Sequence, residues 1–282
     1  MSDAKTPRDS AALYLDLIKK TLSFTLWEEP GVPIEVFNYR RPPLRRALFG
    51  AAAWVLRRLD MQLLRNVHYT QAQRESGAVM PMHAHTMIGL KRLDNLQFCI
   101  EDALANRVPG DLIETGVWRG GACILMRAVL AAHGVTDRRV FVADSFRGLP
   151  PPDVAAYPKD AGDRHHEQLF LDVSREDVEN NFRLYGLLDD QVVFLEGWFK
   201  DTLPNAPTDA LCVMRLDGDM YQSTFESLSS LYPRLSPGGY CIIDDYDIPG
   251  CREAVEDYRI GNRIGSPIRP IDASGVFWRK DD

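Results

Sequence analysis

From residue 111 onward the chain alternates between two hydrophobic periodicities. Short β-branched runs, DLIET (111–115), RVFVAD (139–144), VVFLEG (192–197), LCVMRLD (211–217) and GYCIIDD (239–245), are predicted strands. Between them lie stretches with apolar residues at helical spacing, including RGGACILMRAVLAAH and YQSTFESLSSLYPRL. After the helical CREAVEDYRIGNRI come PIRPI and GVFWRK, two short strands joined by DASG. Five strand–helix units closing on a hairpin predict an α/β fold: a Rossmann-like, mostly parallel sheet with an antiparallel C-terminal hairpin.

The N-terminal region has a different texture. Residues 1–105 read as helices and loops, with AALYLDLIKKTL at helical spacing and Pro30, Pro33, Pro42 and Pro43 breaking the next stretch. The expected division is a helical N-terminal region over residues 1–105 and a cofactor-binding core over 106–282. The most apolar N-terminal run, Ala47 to Leu56, is ten residues long and flanked by arginines. A membrane span needs roughly 20 apolar residues, so packing on the domain or on a second subunit is the expectation.

Composition narrows the function. The chain has 282 residues, 45% hydrophobic content and a net charge of −7. That length carries one full core with an elaborated end. The acidic balance argues against a nucleic-acid surface, which needs a basic stripe. None of the five cysteines forms a CxxC pair, and no secretory signal precedes them, so a reducing cytoplasm is the expected setting.

Ligands of an open α/β sheet bind beyond the carboxyl ends of its strands, so the strand ends carry the candidate chemistry. The first ends in Glu114, Gly116 and Trp118, with Gly120 and Gly121 following. The glycines allow a sharp turn and close backbone approach to a ligand. The spacing is not GxGxxG, Trp118 and Arg119 crowd the place of a pyrophosphate, and Glu114 would repel one. An acidic residue there suits a cationic ligand such as S-adenosylmethionine, which carries an ammonium and a sulfonium. The second strand ends at Asp144 and Ser145, where an acid accepts hydrogen bonds from ribose hydroxyls. The third ends in Glu196, Gly197 and Trp198, whose aromatic ring either flanks an adenine or belongs to the core.

The fourth and fifth strands end in Asp217-Gly218-Asp219 and Asp244-Asp245-Tyr246-Asp247. Carboxylates converging on one sheet edge repel and raise one another's pKa, and a hard divalent cation relieves this. Mg²⁺ takes six oxygens and leaves positions to water or substrate. Asp217, Asp244 and Asp245 are the candidate ligands. The bland alternative is solvated loop acids or helix caps, a role that suits Asp247 before Pro249.

The stretch MHAHTMIGLKRLDNLQFCIEDALANRVPGDLIETGVWRGGACILM, with DSFRGLPPPD, LDGDMYQSTFESL and YCIIDDYDIPGCREAV, resembles the macrocin O-methyltransferase family over roughly residues 75–280. Its members are class I methyltransferases acting on deoxysugars of antibiotics. The resemblance implies S-adenosylmethionine as donor, Mg²⁺ on Asp217, Asp244 and Asp245, and a base at Asp219 or a nearby His. It also implies a contribution of Thr86 and Met87 to the cofactor pocket, and a glycoside acceptor such as the 4-hydroxyl of noviose in an aminocoumarin. The N-terminal region is expected to shape the acceptor pocket and to make a homodimer contact.

Methyl transfer from a sulfonium is an in-line displacement, and a sugar hydroxyl attacks poorly until its proton is removed. Asp219, two residues beyond a proposed ligand, is the expected general base. His83, His85, His165 and His166 are further candidates, the last two in a long insertion after the second strand that could close over the substrate. A metal-dependent O-methyltransferase of catechols or other aromatic diols remains the alternative. A nicotinamide enzyme would need GxGxxG, and a degenerate binding module would have lost the carboxylates. Neither condition is met.

Overall fold

The computed structural model describes residues 9–29, 31–34, 42–79 and 81–281; Pro30 lies outside them. The N-terminal region holds α1 (Ser10–Leu22), β1 (Val32–Pro33), α2 (Pro43–Arg58), β2 (Leu64–Arg65), α3 (Gln71–Ser76) and α4 (Leu90–Ala105). Then follow β3 (Asp111–Thr115), α5 (Gly121–Ala132), β4 (Val140–Asp144), α6 (Arg175–Leu184), β5 (Val192–Glu196) and α7 (Phe199–Thr202). The chain closes with β6 (Leu211–Leu216), α8 (Tyr221–Leu231), β7 (Leu235–Ile243), α9 (Pro249–Gly261), β8 (Arg269–Pro270) and β9 (Val276–Arg279).

The seven predicted strands join in one sheet of order β5-β4-β3-β6-β7-β9-β8. Strands β3 to β7 are parallel, while β9 runs antiparallel to both β7 and β8. Strand order reverses between β3 and β6, which places the switch point, and hence the ligand crevice, at the carboxyl ends of these two.

Alternation along the strands builds two cores. Leu112, Val140, Val142, Val213 and Ile242 face one layer, formed by α1, α4, α5 and α6. Ile113, Phe141, Ala143, Met214 and Ile243 face the other, formed with α8 and α9. Side chains one position apart point to opposite faces of a strand, so central strands buried on both sides read as continuous apolar runs. Each fully buried Val, Leu or Phe contributes about 1.5–3 kcal/mol.

Two N-terminal helices belong to the first layer: Leu15, Ile18 and Leu22 of α1, and Leu93, Leu96 and Ile100 of α4, pack in the same core as α5. By contrast α2 buries only Ala53 and exposes Leu44, Leu48, Trp54 and Val55. The prolines before it start a helix, with Pro43 in its first turn, where a missing N–H costs nothing. Pro33 pairs with Leu64 in a small ribbon that helical periodicity did not predict.

The insertion between β4 and α6 forms a roof of short 3₁₀ turns. Asp160, 4% exposed, anchors it by accepting the Tyr221 and Gln222 N–H groups at 2.7 and 2.9 Å. These are two of the N–H groups that the first turn of α8 leaves unpaired. At the far end, Trp118 Nε1 donates to the Phe170 carbonyl at 2.9 Å. Replacing the carboxylate, Asp160→Ala, is expected to cost about 1–2 kcal/mol, the usual value of a helix cap, and to lower the urea midpoint. An unchanged midpoint would show that the roof does not depend on this anchor.

Candidate active site

Pleating and register bring the charged strand ends to one face. Glu114 follows Leu112 by two residues, Arg215 follows Val213 and Asp244 follows Ile242, so all three point toward the α4–α5 side. Glu114 and Arg215 are directly opposite in the β3–β6 ladder. The Arg215 guanidinium, 2% exposed, bonds Glu114 and Asp244 and reaches Asp217 at 3.0 Å. Arg92 of α4 adds a second cation, at 2.6 Å from Asp244 and 3.0 Å from Asp272.

The turn after β3 passes very close to the turn after β6. A Cβ on Gly116, whose φ is +80°, would lie 1.6 Å from the Asp217 carbonyl oxygen. Only glycine fits there. Asp219 is itself left-handed, at φ 59°, and its backbone N–H donates to Asp245 Oδ2 at 3.1 Å. The tip of the β6 turn is therefore tied to the β7 turn.

A cavity of about 490 Å³ occupies this edge. Of the residues expected from sequence, Thr86, Met87, Glu114, Gly116, Asp144, Ser145, Gly197, Trp198, Asp217, Asp219, Asp244 and Asp245 all line it, and so does Asp247. Two do not. Glu196 ends the edge strand exposed and faces Arg175 at 3.5 Å. Gly120, at φ +83°, sits where a Cβ would strike Val178 of α6 at 2.7 Å, so its part is close packing of the turn. His85 also lies elsewhere, in a second depression beside Arg119, with its Nδ1 2.9 Å from the Tyr185 hydroxyl.

One carboxylate oxygen from each of Asp217, Asp244 and Asp245 lies within 4.8 Å of the other two. Burial, and then the Asp244 charge, raise the Asp217 pKa well above the usual carboxylate range. Burial, with Asp217 and Asp219 beside it, does the same to Asp245. Burial also acts on Asp244, but Arg215 and Arg92 outweigh it and hold its pKa below the ordinary value. The two arginines thus balance one acid of the three and leave the others under-compensated. Three hard oxygen donors in need of positive charge suit a Mg²⁺-type ion. Asp219 is pushed up to about 6, mainly by burial, with His165 pulling it down and Asp244 pushing it up.

At the other arm of the cavity, Asp144 joins the β3 and β4 ends. Its Oδ2 accepts the Val117 N–H and its Oδ1 the Phe146 N–H, both at 2.8 Å. Each oxygen keeps a second lone pair for a ligand. Burial raises its pKa, against the pull of these backbone N–H groups. Glu114 is raised by burial and lowered again by Arg215, with the Cys123 thiol donating to it at 2.8 Å.

Sequence reading missed Arg215 and Arg92. The signal for the first was present: an arginine inside the apolar run LCVMRLD is buried only with a partner. Arg92 carries no such mark, because its role depends on α4 crossing the sheet end.

A switch-point crevice with an acidic edge and a glycine turn that excludes pyrophosphate defines an S-adenosylmethionine-dependent methyltransferase. The model of the family Macrocin-O-methyltransferase (TylF) matches residues 11–280, and the chain belongs to that family. It is 52% identical, over 96% of this chain and 94% of the relative, to the 8-demethyl-8-(2,3-dimethoxy-alpha-L-rhamnosyl)-tetracenomycin-C 4'-O-methyltransferase of Streptomyces olivaceus. It is 47% identical, over 98% and 97%, to the demethyldecarbamoylnovobiocin O-methyltransferase of Streptomyces niveus. Among solved structures it is similar to the O-methyltransferase NovP, with a TM-score of 0.81 and 46% identity over 97% of this chain and 100% of that one. The protein is an O-methyltransferase.

Removing the shared cation by Arg215→Met leaves buried carboxylates without compensation. Such a loss costs about 3–5 kcal/mol, read as a fall in unfolding free energy in urea. A change below about 1 kcal/mol would show that the acids do not need this guanidinium.

Proposed function

We propose that this chain methylates a hydroxyl of a deoxysugar carried by an antibiotic or its late biosynthetic intermediate, with Mg²⁺ at Asp217, Asp244 and Asp245. The 4-hydroxyl of a noviose-type sugar is the acceptor we favour, and both relatives described above are named for glycosylated or novobiocin-type acceptors. The observation that carries the reading is the meeting of these three acids beside Asp219 in the cavity that also holds Glu114, Asp144 and Trp198.

S-adenosylmethionine supplies an activated methyl group. In this reading Asp144 and Ser145 bind its ribose, Trp198 flanks its adenine, and Glu114 offers negative charge to its amino-acid end. Gly116 lets the backbone approach it, and Thr86 and Met87 close the same arm. A divalent ion on the three aspartates would hold adjacent acceptor hydroxyls and lower their pKa. The acceptor oxygen then bonds the methyl carbon as the carbon–sulfur bond breaks, its electron pair staying on sulfur, and the acceptor proton passes to Asp219. Asp219 suits this role because it lines the same cavity while its backbone is fixed on Asp245.

An aromatic diol would use the same acids, but its pocket should be apolar and narrow. Here His165, Gln168, Gln222 and Ser274 line the cavity with the acids, and these hydrogen-bonding groups favour a sugar. Among the described residues no helix is long and apolar enough to cross a membrane, which supports the reading of a cytoplasmic enzyme. We further infer that two copies associate through the N-terminal helices, because α2 exposes Leu44, Leu48 and Trp54. Light scattering should then give twice the chain mass, and a monomer mass at micromolar concentration would contradict it.

The decisive test joins calorimetry and turnover. S-adenosylhomocysteine should bind, and methyl transfer to a deoxysugar glycoside should vanish in EDTA and return with Mg²⁺. Turnover that ignores EDTA would remove the metal from the reading. Asp219→Asn is expected to lower kcat by about 10²–10⁴-fold with S-adenosylhomocysteine binding kept. Near-normal turnover would exclude Asp219 as the base.

A further inference from the structure

The roof brings into the cavity a side chain for which the reaction described above has no use. His165 lines the cavity together with Asp219, Gln222 and Asp245. It sits in the single turn His165–Glu167, and Asp163 grips it twice. One Asp163 oxygen accepts the backbone N–H of His165 at 2.9 Å, and the other meets the ring Nδ1 at 2.6 Å. The Asp163 side chain is 13% exposed, so the clamp is largely shielded from water.

This clamp decides what the ring can do. An ionised carboxylate only accepts, so Nδ1 must carry the hydrogen, and a neutral ring then presents a lone pair at Nε2. Among the described residues Nε2 takes no hydrogen bond, while the ring borders the cavity. The position is equally determined, because Asp160, three residues before Asp163 in the roof, is anchored on the first turn of α8. That turn directly follows Asp219, so the roof and the proposed base share one support. His165 is also the charge that most opposes the upward shift of Asp219, which places the two on the same stretch of cavity wall.

We propose that His165 is an acceptor-binding residue: its Nε2 receives a hydrogen bond from a hydroxyl of the acceptor, and Asp163 is the positioning residue that fixes its tautomer. The inference rests on the sugar reading above and deepens it. Asp217, Asp219, Asp244 and Asp245 crowd the reacting end with carboxylates, where a further charged acceptor would add repulsion. A neutral imidazole accepts a hydroxyl hydrogen without that cost. A site built to hydrogen-bond a hydroxyl discriminates strongly against an analogue lacking it, since the buried acceptor is left unpaired. His165 thus selects for a free hydroxyl on the acceptor, in addition to the one on the carboxylate cluster.

The test is a cycle of enzyme variants against acceptor analogues, each analogue lacking one hydroxyl of the glycoside that the wild type methylates. For one analogue the wild type should lose roughly 5- to 100-fold in kcat/KM. In His165→Phe that penalty should shrink to about twofold or less, with KM for the full acceptor raised. His165→Gln, whose amide oxygen can accept, should restore part of the discrimination. Asp163→Asn, whose amide can donate to Nδ1 and reverse the tautomer, should raise KM in the same direction. S-adenosylhomocysteine affinity should stay within about twofold in every variant, showing that the donor arm is intact. If His165→Phe keeps the full deoxy penalty, or loses kcat with KM and discrimination unchanged, the proposal is wrong. A wild type that binds S-adenosylhomocysteine but methylates no glycoside would instead overturn the sugar reading, before any variant is compared.

Discussion

A single guanidinium holds the working end of this sheet together. Arg215 is buried in β6 between Glu114 of β3 and Asp244 of β7, and it also touches Asp217. Carboxylates from three neighbouring strands could not remain this close in a low-dielectric interior without it, because each would repel the others or take up a proton. Its charge is nevertheless insufficient for the whole group. Asp244, which has Arg92 as a second partner, is stabilised in its ionised form, whereas Asp217 and Asp245 are driven the other way. The result is a site pre-assembled by protein charges and still short of positive charge, the condition in which a divalent cation binds with profit on the proposed reading.

Topology explains why these groups meet. The reversal of strand order between β3 and β6 opens a crevice at their carboxyl ends. The close pass of Gly116 against Asp217 brings the glycine turn and the acid turn to one wall of it. Glu114 and Asp144 serve one arm of the cavity, and the aspartates of β6 and β7 serve the other. The Arg215–Glu114 pair spans the two arms, so the proposed donor and metal subsites share a countercharge and are electrostatically linked. The roof anchored by Asp160 completes the enclosure from the opposite side.

Much of this was legible in the sequence, for a physical reason. Strands buried on both faces leave uninterrupted apolar runs, and the residues that interrupt or end them are those the crevice uses. The five parallel strands, the C-terminal hairpin, the glycine turn and the convergence of Asp217, Asp244 and Asp245 all follow from that pattern. Glu196 shows its limit, because it too ends a strand, but on the sheet edge it turns to Arg175 and away from the cavity. Gly120 was read as a ligand glycine and instead makes room for Val178. Arg92 and His165 could not be placed from spacing, since a helix crossing and a roof turn bring them in from distant sequence. The β1–β2 ribbon pairs Val32 with Arg65 and is too short to leave any periodicity.

The central claim is that the three aspartates form a divalent-cation site, and binding tests it more directly than turnover. Mn²⁺, a spectroscopic stand-in for Mg²⁺, is titrated into the wild-type chain with S-adenosylhomocysteine present and followed by electron paramagnetic resonance. The expected result is loss of the free-ion signal until about one equivalent is bound, with that binding abolished in Asp245→Asn. A chain that binds S-adenosylhomocysteine but leaves the Mn²⁺ signal free would contradict the claim, and the acids would then be held by Arg215 and Arg92 alone.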